Sequence, residues 1–522
     1  MHPHPPMAPA VAGPGVPTGT VVTGPLPVPP PQPSRLELAL AGFWKGRTTT
    51  ASPALLGGCL AVGVASGVLV AGNRPGLGLA VAALLVWLPA VPLMVRRRYL
   101  ADLALAALSV ALVAVVAVRD AEWVVGLSVV VALCVGAVAA TGSRTTPAVL
   151  LSGLTVATAV LRALPWLTSS TGAAVGGRRG QLVVVLRTVA VTVALLLVFG
   201  LLFAGADGVF ASLLPTFELG RLPGQVALAA LALVGAATLA HLVLAPPSWT
   251  GASLKPARRA RRAEWLAPLV ALDALFLAFL AVQLAAAVGG ADYVRRSSGL
   301  TYAEYARQGF GQLLVATVLT LLVVAVAARK APWETGRDRL VARAVLGVLC
   351  VCTLGVVVAA LSRMSLYVDA FGLTRLRLLA TAGEIALGMV VLLVVAAGVR
   401  WRAAWFPRAV TAVVGLAMLG LAAVNPDAQI VRYNVAAAEQ SQQDLDVFYL
   451  TGLSQDALAV ADELEPDVRE CVVGSIGATP AANLAEWNLG RQRAAQVTDV
   501  KPEESLFGEL PGACADAYRT SP

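Results

Sequence analysis

Charge is what this sequence has least of: 13% of its 522 residues are Asp, Glu, Lys or Arg, against about a quarter in soluble domains. With 58% apolar residues, that scarcity excludes a water-soluble packing of the whole chain. Aromatics are scarce too, at 6%, so the apolar excess is Ala, Val, Leu and Gly, the small vocabulary of helices that pack closely in lipid. No Walker lysine loop, His-Glu-x-x-His or Gly-x-Ser-x-Gly motif occurs. Cys350 and Cys352, two apart on a helix, point away from one another. Neither a metal nor a cofactor is therefore expected.

What the sequence does have is apolar runs of spanning length, about 20 residues each. Eleven stand out, near 53–71, 77–95, 100–118, 122–140, 182–204, 224–245, 266–288, 310–328, 341–361, 377–399 and 405–424. A weaker run, 147–167, is interrupted by Arg162 and Pro165. The expected fold is all-α: a polytopic transmembrane helix bundle over 51–424. A Pro-rich arm precedes it (1–50), and an acidic helical tail follows it (425–522).

The arm holds twelve prolines in its first 33 residues and no apolar run, so it is expected to be disordered and partly polyproline II, with His2 and His4 solvated in it. The first apolar run begins near Ser52 and is long enough to span, which argues against a cleavable signal.

Lys and Arg sit in short clusters between the runs, a topology signal rather than a nucleic-acid footprint, and no nucleic-acid partner is expected. With the N-terminus inside and eleven spans, the inner loops hold 21 basic residues and the outer loops 8. Counting 147–167 as a span would erase that bias, so it reads as an interfacial or re-entrant helix on the inner side. The cluster from Lys255 to Arg262 sets topology and touches anionic lipid.

An odd number of spans puts the C-terminal tail outside. That tail carries 16 acidic and six basic residues, a net of −10, which leaves +19 before it. It also holds one cysteine pair, Cys471 and Cys514, able to form a disulfide outside the membrane, whereas the other four cysteines lie in apolar runs. Ser454 reads as a helix N-cap, Pro466 as a stop or reset, and a second tail helix is expected from about Ala481 to Val497.

Three ordered motifs carry a family resemblance. The first is Gly289-Gly-Ala-Asp292-Tyr293 with Gly299-Leu-Thr301-Tyr302-Ala-Glu304-Tyr305-Ala-Arg307. The second is Arg363-Met-Ser-Leu-Tyr367-Val-Asp369-Ala-Phe-Gly-Leu-Thr374-Arg375-Leu-Arg377. The third is Asn425-Pro-Asp427 with Arg432-Tyr433-Asn434. Together they resemble bacterial, actinobacterial-type membrane proteins grouped as domain of unknown function 4173, close to the 4153 group. The likeness is strong over 266–450, looser over 50–245 and missing from the Pro-rich arm. It implies a membrane fold and brings no established activity, and all three motifs fall on the outer face of the expected topology.

Within the spans, Asp273 and Glu384 are costly ionisable groups and hence functional candidates. Gln283 shares a broad face with Asp273, and Gly388, one turn after Glu384, allows close helix approach. Either carboxyl could serve a proton or cation relay, or simply bond a neighbouring helix. Arg187 can snorkel to the inner interface, and His241 reads as a packed histidine. On the outer face, Asp292, Tyr302, Glu304, Arg307, Arg363, Tyr367, Asp369 and Arg375 can form a pocket for a zwitterion or an envelope precursor. They can equally form interfacial ion pairs and an aromatic belt, and Thr301 with Glu304 also reads as a capping box.

Three function classes follow, in this order: a sensing or scaffolding protein of the bacterial plasma membrane acting through its tail, a secondary transporter using Asp273 or Glu384, and a membrane-embedded enzyme on a lipid-linked substrate. The expected partners are the lipid bilayer and other envelope proteins.

Overall fold

In lipid a backbone must close its own hydrogen bonds, so each apolar run becomes a helix. The computed structural model of the chain is helical, with no strand among its described residues. Those are 43–44, 50–96, 99–176, 221–249, 262–298, 309–331, 335–400, 404–441, 445–500 and Cys514, with isolated helical positions between 188 and 203. In chain order they form α1 (Pro53–Val70), α2 (Leu77–Trp87), α3 (Val91–Arg96), α4 (Leu100–Ala114), α5 (Glu122–Thr141), α6 (Thr146–Val175), α7 (Leu222–Leu244), α8 (Arg262–Ser298), α9 (Phe310–Lys330), α10 (Gly336–Phe371), α11 (Arg375–Arg400) and α12 (Phe406–Ala423). All but α2 and α3 are long and apolar enough to cross a membrane, ten among the described residues, as a polytopic bundle requires. The run at 182–204 and Arg187 lie outside the described residues.

Four short helical pieces follow the bundle: α13 (Pro426–Ser441), α14 (Val447–Thr451), α15 (Pro466–Ile476) and α16 (Leu489–Val497), with 3-10 turns at Gln455–Glu463 and Leu484–Glu486. They pack against one end of the bundle, here the capped end. Val447, Leu450, Leu458 and Val472 form a core there with Met364, Val368 and Leu373 of the α10–α11 corner. Cys471 of α15 is disulfide-bonded to Cys514. At the opposite, open end, Arg408 of α12 pairs with Asp102 of α4 at 2.5 Å and donates Nε to Ser143 O after α5.

Some boundaries differ from those expected, for local reasons. The single run at 77–95 is two helices, because Pro89 has no N–H to continue the ladder and its ring crowds the preceding turn, so α2 stops at Trp87 although Leu88 keeps helical angles. The tail segment after Ser454 is a 3-10 turn, and Ser454 makes no side-chain cap. The last tail helix starts at Leu489, where the Asn488 side chain accepts the N–H of Arg491 and sets the N-terminus. In the other direction, α8 and α10 outrun their apolar cores and reach 37 and 36 residues.

The weak run at 147–167 is one continuous helix, α6, about 45 Å long at 1.5 Å per residue. Length and composition would let it cross, but its contacts keep both ends at the open end. It begins beside Thr141 and Ser143, where α5 stops. Further on, Arg162 stacks over Trp44 at 4.7 Å, Trp166 meets His241 near the end of α7, and Ser170 Oγ accepts the N–H of Ala51 just before α1. A stripe of small and hydroxylated residues (Ala148, Ser152, Thr155, Ala159, Ala163, Ser170) faces the bundle, while Leu150, Leu154 and Leu161 face outward. The contacts with Trp44, His241 and Ala51 are all with residues of the open end. Residues on either side of the undescribed stretch, Ser170 and Arg221, sit at opposite ends of the bundle: Arg221 adjoins Gly72 at the capped end.

The tightest helix contact joins α1 to α7. A Cβ on Gly67 would stand 2.6 Å from Gln225 O, and one on Gly63 would stand 2.7 Å from Ala229 O. These glycines let two backbones touch, the small-residue packing that substitutes for hydrophobic drive inside lipid. Gly67→Ala is expected to force the pair apart and lower thermal stability in detergent by about 1–3 kcal/mol. Gly57→Ala, whose Cβ would meet nothing within 4 Å, should be silent, and equal melting of the two variants would refute the contact.

Candidate functional site at the capped end

Where α2, α4, α5, α11 and α12 leave the apolar layer, their terminal N–H and C=O groups lose partners. Residues after Asn425 supply many of them. Asp456 Oδ2 accepts the N–H of Asp120 at 2.7 Å and of Ala121 at 2.9 Å, at the start of α5. Asn488 Nδ2 donates to Val116 O and Arg119 O at the end of α4, at 2.8 and 2.9 Å. Leu77 N–H donates to Trp487 O at the start of α2, and Arg375 N–H to Tyr449 Oη at the start of α11. Arg119, only 7% exposed, turns the other way and donates to Ala422 O and Ala423 O, the cation-at-C-terminus arrangement that a helix dipole favours.

The second and third sequence motifs meet here. Asn425 adopts a left-handed φ of 53°, which Asn tolerates, and turns the chain out of α12 into α13. Asp427, fully buried in the first turn of α13, then accepts from Arg375 Nε (3.1 Å) and Nη2 (2.7 Å), Trp123 Nε1 (3.1 Å) and Ser454 N–H (2.9 Å). Burial pushes its carboxyl up, but Arg375 and Ser454 outweigh that and hold it below the ordinary carboxylate value. Asn434 pairs with Leu373 through both its amide groups, at 2.6 and 3.0 Å. Gly372 beside it has φ 76° and leaves room for that amide, where a Cβ would come within 2.9 Å of Asn434 Oδ1. Arg377 lies over the Tyr367 ring at 4.2 Å and donates to Phe371 O, while Asp369 accepts from Tyr433 Oη. Burial and that carboxylate push the Tyr433 phenol up to about 12.

Arg375, Tyr367 and Asp369 thus join one intramolecular lattice. Arg363 donates to Gln283 Oε1 at 3.2 Å, which ties α10 to α8. Asp292 lies within α8, and Tyr302, Glu304 and Arg307 fall outside the described residues. Inside the bundle, Glu384 is fully buried, with Oε1 3.3 Å from Thr317 Oγ1 and Oε2 without a hydrogen-bond partner. Asp273 is buried on α8 beside α10, and its Oδ1 likewise lacks a partner. No hydrogen bond or ion pair joins the two carboxyls, and neither lines a described cavity. Gly388 does bring α11 close to α10, with Val357 Cγ1 3.1 Å from where a Cβ would stand.

A cavity of about 850 Å³ opens between the helix ends and the tail. Its floor is Arg74, Arg119, Asp120, Glu122, Trp123 and Arg375, and its roof is Ser454, Gln455, Thr479 and Arg491. Arg491 Nε pairs with Asp120 at 3.1 Å and also reaches Pro75 O. A second cavity, about 490 Å³ among α9, α10, α11 and α12 towards the open end, is walled by aliphatic side chains such as Leu321, Leu346 and Val394. Sequence reading missed Arg74, Arg119, Asp120, Trp123, Asp456, Asn488 and Arg491. Each is a single polar residue, and the partners lie 303 to 416 positions away, so no local motif announces them.

Asp456 makes the docking pH-sensitive. Burial pushes its carboxyl up to about 6, against the opposing pull of the Ala121 and Asp120 N–H groups and Arg119. A carboxyl that keeps its proton longer when folded adds stability below the unfolded value of 3.8, and loses that contribution as pH rises towards 6. Asp456→Asn removes the loss. Melting curves from pH 4 to 7 should show the variant gaining on wild type by up to about 3 kcal/mol as pH rises, and parallel curves would contradict the assignment.

No curated protein and no solved structure matches the chain. The profile described as "Domain of unknown function (DUF4153)" does match, over residues 107–464. That stretch runs from α4 through the 3-10 turn bearing Asp456 and takes in Arg119, Asp120, Arg375 and Asp427, so the chain belongs to the DUF4153 family.

Proposed function

We propose that this protein is a multi-pass protein of the bacterial plasma membrane that senses or scaffolds at the outer face through residues 425–522, with its N-terminus cytoplasmic. The carrying observation is that the tail is no loose appendage: it provides hydrogen-bond partners for helix termini of α2, α4, α5 and α11. A load or ligand on the tail therefore acts on several membrane helices at once. Charge supports the orientation. Arg96, Arg144, Arg329, Arg337 and Arg400 belong to helix ends and turns at the open end, opposite the acidic tail, and Lys and Arg favour the cytoplasmic side. The Cys471–Cys514 disulfide suits an oxidising exterior. The motifs at 363–377 and 425–434 also support a place near the 4173 group within this bacterial class. A transporter reading is supported by the unpartnered Oε2 of Glu384 and Oδ1 of Asp273, and predicts that Glu384→Gln or Asp273→Asn abolishes flux at unchanged abundance.

Orientation is tested with cysteines at two exposed positions. Leu484→Cys should react with a membrane-impermeant maleimide on intact cells, and Arg337→Cys only after permeabilisation. The reverse pattern would overturn the reading. Truncation after Asn425 should reproduce the phenotype of gene deletion, and a silent truncation counts against the tail as the working part.

A further inference from the structure

The lining of the capped-end cavity carries more positive charge than its own carboxylates offset. Of its four arginines, Arg375 is matched by Asp427 and Arg491 by Asp120. Arg119 is buried and its guanidinium donates to two carbonyl oxygens; Asp456 acts on it through space without a direct ion pair. Arg74 is exposed: its backbone N–H donates to Glu486, and its guanidinium makes no direct ion pair but acts through space on the Glu486 and Asp120 carboxylates, which leaves its donors open to the cavity. Against these two cations the lining sets one carboxylate outside an ion pair, Glu122, at the exposed first turn of α5. Ser454 is on the wall as well, with its backbone N–H and its hydroxyl both turned to Asp427. Trp123 and Val116 add a flat apolar surface beside the charges.

We propose that this cavity binds a small anionic solute bearing a phosphate or carboxylate group, held by Arg74 and Arg119, with its less polar part against Trp123. The proposal rests on the sensing role above and names the ligand class for that site. The volume falls in the range of small-molecule pockets, roughly 300–1,000 Å³, and exceeds what one inorganic anion needs. Arginine forks match the planar or tetrahedral oxygens of both acid types. The acid group comes either from a free solute or from the headgroup of an anionic lipid.

The test uses the full chain in neutral detergent, followed by thermal shift and tryptophan fluorescence. The probes are inorganic phosphate, glycerol 3-phosphate, citrate and dihexanoyl phosphatidylglycerol, with glycerol as the uncharged control. At least one charged probe should give a saturable response that weakens with salt, while glycerol gives none. A response to glycerol 3-phosphate or citrate identifies a free solute as the source, and one confined to the short-chain lipid identifies a headgroup. Arg74→Ala should weaken that binding tenfold or more while leaving the melting temperature of the unliganded protein unchanged, and Arg74→Lys should restore part of it. No saturable response to any charged probe, or equal binding by wild type and Arg74→Ala, overturns the proposal. Because the assay is in detergent, it is independent of orientation: binding with the tail found cytoplasmic would sink the outer-face reading and leave the site standing.

Discussion

Every helix that leaves an apolar layer exposes up to four unpaired N–H or C=O groups, and the capped end of this bundle is organised around satisfying them. Asp456, Asn488, Asn434, Tyr449 and the Trp487 carbonyl each meet a helix terminus that is distant in sequence. A buried unpaired polar group costs on the order of 1–3 kcal/mol, so several satisfied together weigh heavily against a net stability of roughly 5–15 kcal/mol. Tail and bundle are thereby joined by polar contacts as much as by the apolar core around Leu450 and Leu458.

That dependence on hydrogen bonds explains why carboxylates at this end behave oppositely. Asp427 has four donors, two from a guanidinium, and stays ionised despite full burial. Asp456 has two backbone donors and an Oδ1 left without any, so desolvation prevails. Number and charge of donors, rather than depth, separate the two.

Much of the architecture was legible in the sequence because a bilayer imposes length and apolarity directly. Arg162, which interrupts the run at 147–167, stacks over Trp44 at the open end. Helix ends were less legible, since Pro89 breaks a run whose hydropathy looks continuous. The motif around Arg375 and Asp427 was readable as a cluster of unusual polar residues, but its use as an internal clamp was not, because the ion pair spans 52 positions. The cavity was least legible. Arg74, Arg119, Ser454 and Arg491 are ordinary residues in ordinary loops until the tail folds over them.

The separation between Asn488 and the carbonyls it serves has a consequence for synthesis. Val116 and Asn488 are 372 residues apart, and a ribosome adding roughly 5–20 residues per second needs tens of seconds to traverse that distance. Throughout that interval the early helices stand in the membrane with their ends unsealed, open to water, chaperones and proteases. Closure of the first-made helices waits on synthesis of the segment that holds Asn488, so a product terminated before it keeps an exposed signature by which quality control can distinguish it.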